Sequence, residues 1–205
     1  NATDFGDLTE ARFHGGSVSN STRGVFMAGG TPTAKNVTDF VTIATTGNAT
    51  DFGDTLTAGF TTGGGRSSST RGILAGLMPS SPTIGNTIEF ITIATTGNSQ
   101  DFGDLTLAHR GVGAGNLSNG TRAVLMGGYT DPAFTNLISF VTITTKGNAE
   151  DFGDISSVRG GGGSASTLIR GILAGGRTPT DVNTIDAVII ATTGNSTDFG
   201  DLTQA

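Results

Sequence analysis

The chain has 205 residues, of which 34 are glycine, and a formal net charge of −6; this composition lacks the clustered lysines and arginines that nucleic-acid binding requires. It contains no cysteine, which excludes a disulfide framework and thiolate metal ligands. Its apolar runs are far shorter than the roughly 20 residues of a membrane-spanning helix. We therefore expect neither a nucleic-acid partner nor membrane insertion.

The chain is built from repeats of about fifty residues. The tetrapeptide Asp-Phe-Gly-Asp occurs five times, with its phenylalanine at Phe5, Phe52, Phe102, Phe152 and Phe199. An arginine that precedes an apolar run recurs four times, at Arg23, Arg71, Arg122 and Arg170. These landmarks predict one repeat domain over residues 1–205 with units at 11–58, 59–108, 109–158 and 159–205. Residues 1–10 are then an extra copy of the last strand.

Each unit is predicted to contain four short strands. The first is short and rich in glycine, at about residues 11–16 in unit one and 109–115 in unit three. The second carries the arginine-led apolar run, which usually ends in Gly-Gly. The third is the clearest, because residues 36–43 are mainly β-branched and aromatic. A Thr-Gly-Asn turn leads from it to the fourth, which carries Asp-Phe-Gly-Asp.

The third strand places apolar side chains on both faces, Val41 and Ile43 on one and Phe40 and Ala44 on the other. A sheet with one solvent-exposed face would alternate between apolar and polar residues. A propeller blade is covered by neighbouring blades on both faces, and blades are four-stranded units of about this length. The sequence therefore predicts an all-β fold, a β-propeller of four-stranded blades.

The Gly-Gly after strand two, and the large aromatic residue of the last strand, resemble the kelch repeat, with phenylalanine in place of the usual tryptophan. Departures are Leu77, which replaces a glycine, and Gly59 and His109, which stand where other units have arginine. The phrase Ala-Thr-Thr-Gly-Asn-x-x-Asp-Phe-Gly-Asp is similar to highly repetitive propeller sequences of marine bacteriophage structural proteins. This resemblance implies an extracellular protein of the virion surface or tail. Its implied partners are other virion or propeller subunits and a host glycan or surface protein.

The repeated side chains are expected to be structural. The phenylalanines should pack between blades, and the arginines should bond to loop carbonyls or to an aspartate of a neighbouring blade; the alternative is an inward ring of arginines that binds an anion. The aspartates of the repeat should accept backbone N–H bonds in turns. Calcium binding by pairs such as Asp51 and Asp54 is the alternative, although calcium needs six to eight oxygen ligands.

The connections between strands two and three differ most between units, and in an alternating blade they share one face with the links between blades. Varied loops on a constant frame favour a recognition surface, whereas neutral variation of exposed loops is the alternative. The charged and aromatic residues that the repeat does not dictate are the predicted ligand-binding residues: Lys35, Tyr129, Asp131, Phe134, Arg177 and Asp181.

The residue inventory offers no nucleophile–base pair, and the two histidines, His14 and His109, occupy different positions of the repeat. We therefore expect no enzyme activity, no metal and no cofactor. Two functions remain: an adhesin or receptor-binding module, or a structural decoration or fibre subunit that contacts only other copies or virion proteins. Because both chain ends carry the last-strand motif, we also expect one terminal strand to pair outside these four units, either with more of a longer repeat array or with another chain, as in a homo-oligomer.

Overall fold

A computed structural model describes residues 1–61, 64–79, 83–111 and 117–205. These residues form a four-bladed β-propeller of antiparallel sheets, as the sequence predicted. Blade one contains β1 (Gly16–Ser19), β2 (Arg23–Met27), β3 (Val37–Thr42) and β4 (Thr50–Asp54). Blade two contains β5 (Arg66–Ser67), β6 (Arg71–Ala75), β7 (Thr87–Thr92) and β8 (Gln100–Asp104). No helix that could cross a membrane occurs in the described residues.

Blades three and four depart slightly from this pattern. Blade three contains β9 (Arg122–Tyr129), β10 (Phe134–Thr142) and β11 (Glu150–Asp154). Blade four contains β12 (Gly163–Ser166), β13 (Arg170–Ala174), β16 (Thr184–Ile189) and β17 (Thr197–Asp201), with a small hairpin of β14 (Arg177–Thr178) and β15 (Thr180–Asp181). A bridge between Ser118 and Ala123 marks the inner edge of blade three.

The prediction for strand three is confirmed to within one residue at each end of β3. The prediction for the first strand at residues 11–16 is wrong, because β1 begins at Gly16 and the preceding residues form the link between blades, with one bridge from Phe13 to Gly30. The corresponding prediction at 109–115 falls partly outside the described residues. In blade three the Gly-Gly pair does not end the second strand but lies within β9.

Three apolar clusters hold the propeller together, one at each junction between successive blades. The first cluster joins Val18, Val25 and Phe52 of blade one to Leu74 and Ile93 of blade two. Equivalent clusters join blades two and three and blades three and four. Burial between blades explains why strand three is apolar on both faces.

Each outer strand docks on the turn after the third strand of the next blade. Between blades one and two, the carbonyl of Phe52 accepts from the amide of Gly97 (2.7 Å) and the amide of Asp54 donates to Oδ1 of Asn98 (3.0 Å). The same bonds recur at the other two junctions. Close approach explains the motif's glycine: a Cβ on Gly153, where φ is +142°, would lie 2.5 Å from the backbone of Gly194.

A buried polar position follows each outer strand. Arg12 binds Asp39 at 2.7 Å in blade one, and Arg159 binds Asp186 in blade four, with all four side chains almost completely buried. In blade two Gly59 replaces the arginine, and Glu89 instead accepts from the amides of Leu56 and Thr57 and from Ser99. In blade three both charges are absent, because His109 and Ser139 take the two positions. The arginine is therefore present only where a buried aspartate faces it.

Candidate functional site

The connections between second and third strands lie beside the links between blades, and together they form one surface, which we call the loop face. Bridges join Phe13 to Gly30 in blade one, Phe60 to Met78 in blade two, Arg110 to Tyr129 in blade three and Gly160 to Arg177 in blade four. The loop face therefore presents residues from two parts of each unit, the link and the hairpin.

Three of the six predicted ligand-binding residues come together in blade three. The rings of Tyr129 and Phe134 meet edge to face with centroids 5.2 Å apart. The Tyr129 hydroxyl donates to Oδ1 of Asp131 at 3.4 Å, and the guanidinium of Arg110 lies 5.1 Å from the centre of the Tyr129 ring. These contacts make a half-buried aromatic platform beside an exposed carboxylate.

The other three predicted residues make their side-chain contacts elsewhere in the described part of the chain. Lys35 forms an ion pair with Glu10 at 3.3 Å, within blade one and its link. Arg177 and Asp181 lie opposite each other in the β14–β15 hairpin, 3.9 Å apart and both exposed. Two of these connections are hairpins with strand pairing, in which Tyr129 lies opposite Phe134 and Arg177 lies opposite Asp181.

A second aromatic group on the loop face was missed by the sequence reasoning. Phe13 is 51% exposed, and its ring lies 5.6 Å from Phe60 and 4.9 Å from His14. The available signal was the position after the arginine of the link, which varies between units as Phe13, Phe60, Arg110 and Gly160. The loop face thus carries aromatic groups over blades one to three.

Three of the four repeated arginines connect successive blades through carbonyl groups, one of the two kinds of contact predicted for them. Arg71 lies over the ring of Phe90, 4.4 Å from its centre, and donates to the carbonyl of Ile143 in the next blade at 2.7 Å. Arg23 and Arg122 make the same pair of contacts. Within the described residues, the guanidinium of Arg170 donates no hydrogen bond, because none of these residues forms a blade packed on that face of blade four. These contacts between blades argue against the alternative in which the arginines form an inward ring that binds an anion.

The repeated phenylalanines are not equivalent. Phe52, Phe102 and Phe152 are 2–3% exposed at the junctions between blades, as predicted. Phe5 is 38% exposed and Phe199 is 55% exposed, so the burial predicted for the other three does not extend to them. The physical reason is that no other blade of the described residues covers them.

Aspartates of the repeat accept backbone N–H bonds, as predicted, but they lie in the outer strands β4, β11 and β17 and not in turns. Oδ1 of Asp51 accepts from the amide of Gly53 at 3.2 Å, and Asp4, Asp151 and Asp198 make the equivalent bond. Among the described residues no group of three or more histidine, aspartate or glutamate side chains is placed to hold a metal ion.

One histidine and one arginine are strongly affected by burial. Burial lowers the pKa of His109, and the charge of Arg66 adds to this, while the bond from its Nδ1 to the carbonyl of Leu107 opposes it. Burial also lowers the pKa of Arg66 to about 10, and its Nε donates to the carbonyl of Val124. Arg66 is therefore charged at neutral pH and bridges blades two and three.

No family model matches this sequence, and no curated protein matches it either. The β-propeller fold rests on the structure itself. A relationship to kelch repeats and a relationship to phage structural proteins are supported by the sequence of the repeat, and both are stated below as proposals.

Proposed function

We propose that the chain is a non-enzymatic recognition module, a kelch-like propeller of a virion surface or tail that binds a host glycan or surface protein through its loop face. The observation that carries the proposal is the aromatic group of exposed Phe13 and His14 with half-buried Phe60, together with the platform of Tyr129 and Phe134. Both groups stand on segments that differ between otherwise similar units.

Aromatic rings on a rigid frame suit this role. They supply a large apolar contact area at small entropic cost, and they stack on the apolar faces of sugars or on an apolar patch of a protein. Arg110 above Tyr129 and the exposed carboxylate of Asp131 add polar groups that orient a ligand. A net charge of −6 makes a polyanionic ligand a poor match.

Binding to an array of bacterial surface glycans and to intact host cells tests the proposal. The double variant Tyr129→Ala/Phe134→Ala and the single variant Phe13→Ser are expected to weaken binding without lowering the melting temperature. Leu168→Ser is the matched control, since Leu168 is 78% exposed in the β12–β13 turn at the opposite end of the strands. Binding that both loop-face variants leave unchanged would contradict a site on this face.

The non-enzymatic part of the proposal has its own test. Purified protein should release no product from the glycans that it binds. Turnover of any such glycan, abolished by substitution of a single carboxylate, would contradict the proposal.

A structural subunit that contacts only sister copies or virion proteins is the second candidate. The uncovered faces of blades one and four favour it, because Ile43 on one and Phe199 on the other are exposed. Saturable binding to cells supports the recognition module, whereas association confined to copies of the chain supports the structural subunit.

A further inference from the structure

We call the uncovered faces of blades one and four the outer faces of the propeller. They are the two halves of an interface that the chain makes three times between its successive blades. On blade one, Ile43 is 46% exposed, whereas its counterparts in the later blades are fully buried: Ile93, Ile143 and Ile190. On blade four, Phe199 is 55% exposed, whereas its counterparts in the earlier blades are 2–3% exposed: Phe52, Phe102 and Phe152. Each outer face therefore lacks the partner that the other supplies.

Polar groups on the two faces match in the same way. At the inner junctions, an arginine of one blade donates to a carbonyl at the end of the third strand of the next, as Arg122 does to Ile190 at 3.2 Å. On blade four, Arg170 is exposed and its guanidinium has no such acceptor in the described part of the chain. On blade one, the corresponding carbonyl of Ile43 receives no guanidinium there.

A segment with the sequence of the outer strand already lies on blade one. The carbonyl of Phe5 accepts from the amide of Gly47 at 2.8 Å, and the amide of Asp7 donates to Oδ1 of Asn48 at 3.0 Å. These are the bonds that β4 makes to blade two. Residues 3–9 nevertheless pair with no strand in the described residues, and between them and blade one lies an apolar concavity of about 400 Å³.

The segment on blade one is interchangeable with the outer strand of blade four. Residues 3–9 and residues 197–203 have the same sequence, Thr-Asp-Phe-Gly-Asp-Leu-Thr. The C-terminal one of these two segments contains β17, in which Thr197 lies opposite Ala187 of β16. A junction between blade four and blade one has room for only one of these two segments as its outer strand.

We infer that a second chain of the same sequence docks head to tail, with its blade one packed on blade four of the first chain. In this arrangement, residues 3–9 of the second chain replace residues 197–203 of the first chain as the outer strand of blade four. The direction of exchange follows from the link. Thr9 and Arg12 both bind Asp39 in blade one, as Ser156 and Arg159 bind Asp186 between blades three and four. One continuous segment then supplies both the strand and the buried ion pair, as at the inner junctions.

Two copies joined at both ends make a ring of eight blades, which is within the usual range of four to eight. The inference concerns the outer faces only and is independent of ligand binding at the loop face. Its failure leaves the loop-face proposal standing, because the two are measured with different variants.

Light scattering over a concentration series tests the docking. The unmodified chain is expected to reach twice the monomer mass, and Ile43→Glu, which places a charge on the outer face of blade one, is expected to remain monomeric. Phe5→Ser and Phe199→Ser are a matched pair at equivalent, partly exposed positions. Phe5→Ser is expected to weaken association by about 30-fold, the loss typical of a buried aromatic anchor, while Phe199→Ser does not weaken it.

Cross-linking reads the exchanged strand directly, since the chain has no cysteine of its own. A mixture of Thr3→Cys chains and Ala187→Cys chains is expected to form a disulfide-linked heterodimer under oxidation. Thr197→Cys/Ala187→Cys within one chain is the control for the unexchanged strand. A monomeric mass at every concentration, no heterodimer, or loss of association in Phe199→Ser but not in Phe5→Ser would overturn the inference.

Discussion

In blade four, Nη2 of Arg159 lies 2.5 Å from Oδ2 of Asp186, and both side chains are completely buried. The hydroxyls of Ser156 and Ser196 donate to the same carboxylate, at 2.9 and 2.7 Å. The arginine belongs to the link that leaves blade three, and the aspartate belongs to the third strand of blade four. This ion pair therefore fixes where the chain enters its last blade.

Arg159→Ala is expected to lower the free energy of unfolding by about 3–5 kcal/mol, because it leaves the Asp186 carboxylate buried without a cation. Arg159→His/Asp186→Ser reproduces the uncharged pair of blade three and is expected to cost less than the single change. Urea unfolding measures both. Arg177→Ala is the control, because its ion pair with Asp181 is exposed and its loss costs under about 1 kcal/mol. A double variant less stable than Arg159→Ala would contradict this explanation.

The buried imidazole of His109 makes stability depend on pH. Because burial lowers the pKa of His109 in the folded state, the unfolded chain binds this proton more readily. Stability from this group is full above pH about 6.5, the ordinary histidine pKa, and falls as the pH drops below it.

His109→Gln is therefore expected to flatten the fall in the free energy of unfolding over the first pH unit below about 6.5. Urea unfolding at a series of pH values measures the slope. His14→Gln, at the exposed histidine, is the control and should keep the slope of the unmodified chain. Equal slopes for His109→Gln and the unmodified chain would show that another group is responsible.

The repeat made much of the frame predictable from sequence. The third strands are rich in β-branched residues, and Gly-Asn turns follow them, so β3 was placed to within one residue. The first strands were placed less well, because β5 has only two residues and their glycine-rich sequence carries no periodic signal.

The exposure of Phe5 and Phe199 was not predictable from local sequence. Phe199 has the same immediate neighbours as Phe102, and the two differ in burial because, within the described residues, another blade packs on Phe102 and none packs on Phe199. At the loop face, Tyr129 and Phe134 stand out in the sequence because they interrupt the repeat, and their role in binding stays a prediction. Phe13 was not predicted because it lies in a link between blades and not in a hairpin.

The contacts that the repeated arginines make between blades give a further test of the packing of the blades. Arg122→Ala is expected to lower the free energy of unfolding by about 2 kcal/mol, since it removes charge-assisted bonds to the carbonyls of Ile190 and Ala191 and a cation–π contact with Phe140. Arg170→Ala, at the equivalent position of blade four, is expected to change it by less than half as much, because Arg170 is exposed and has only a longer contact with Phe199. Urea unfolding of the two variants side by side provides the measurement. Equal losses in the free energy of unfolding would contradict a stabilising contact between blades at Arg122.

The central claim is that the repeated phenylalanine stabilises the fold only where another blade covers it. Urea unfolding of Phe102→Ala and Phe199→Ala tests this claim most directly, because the two residues occupy equivalent positions and are 3% and 55% exposed. Phe102→Ala is expected to lose about 3–5 kcal/mol, and Phe199→Ala, measured as a monomer, about 1 kcal/mol or less. A loss below about 1 kcal/mol for Phe102→Ala, or equal losses for the two variants, would contradict the packing of blades described above.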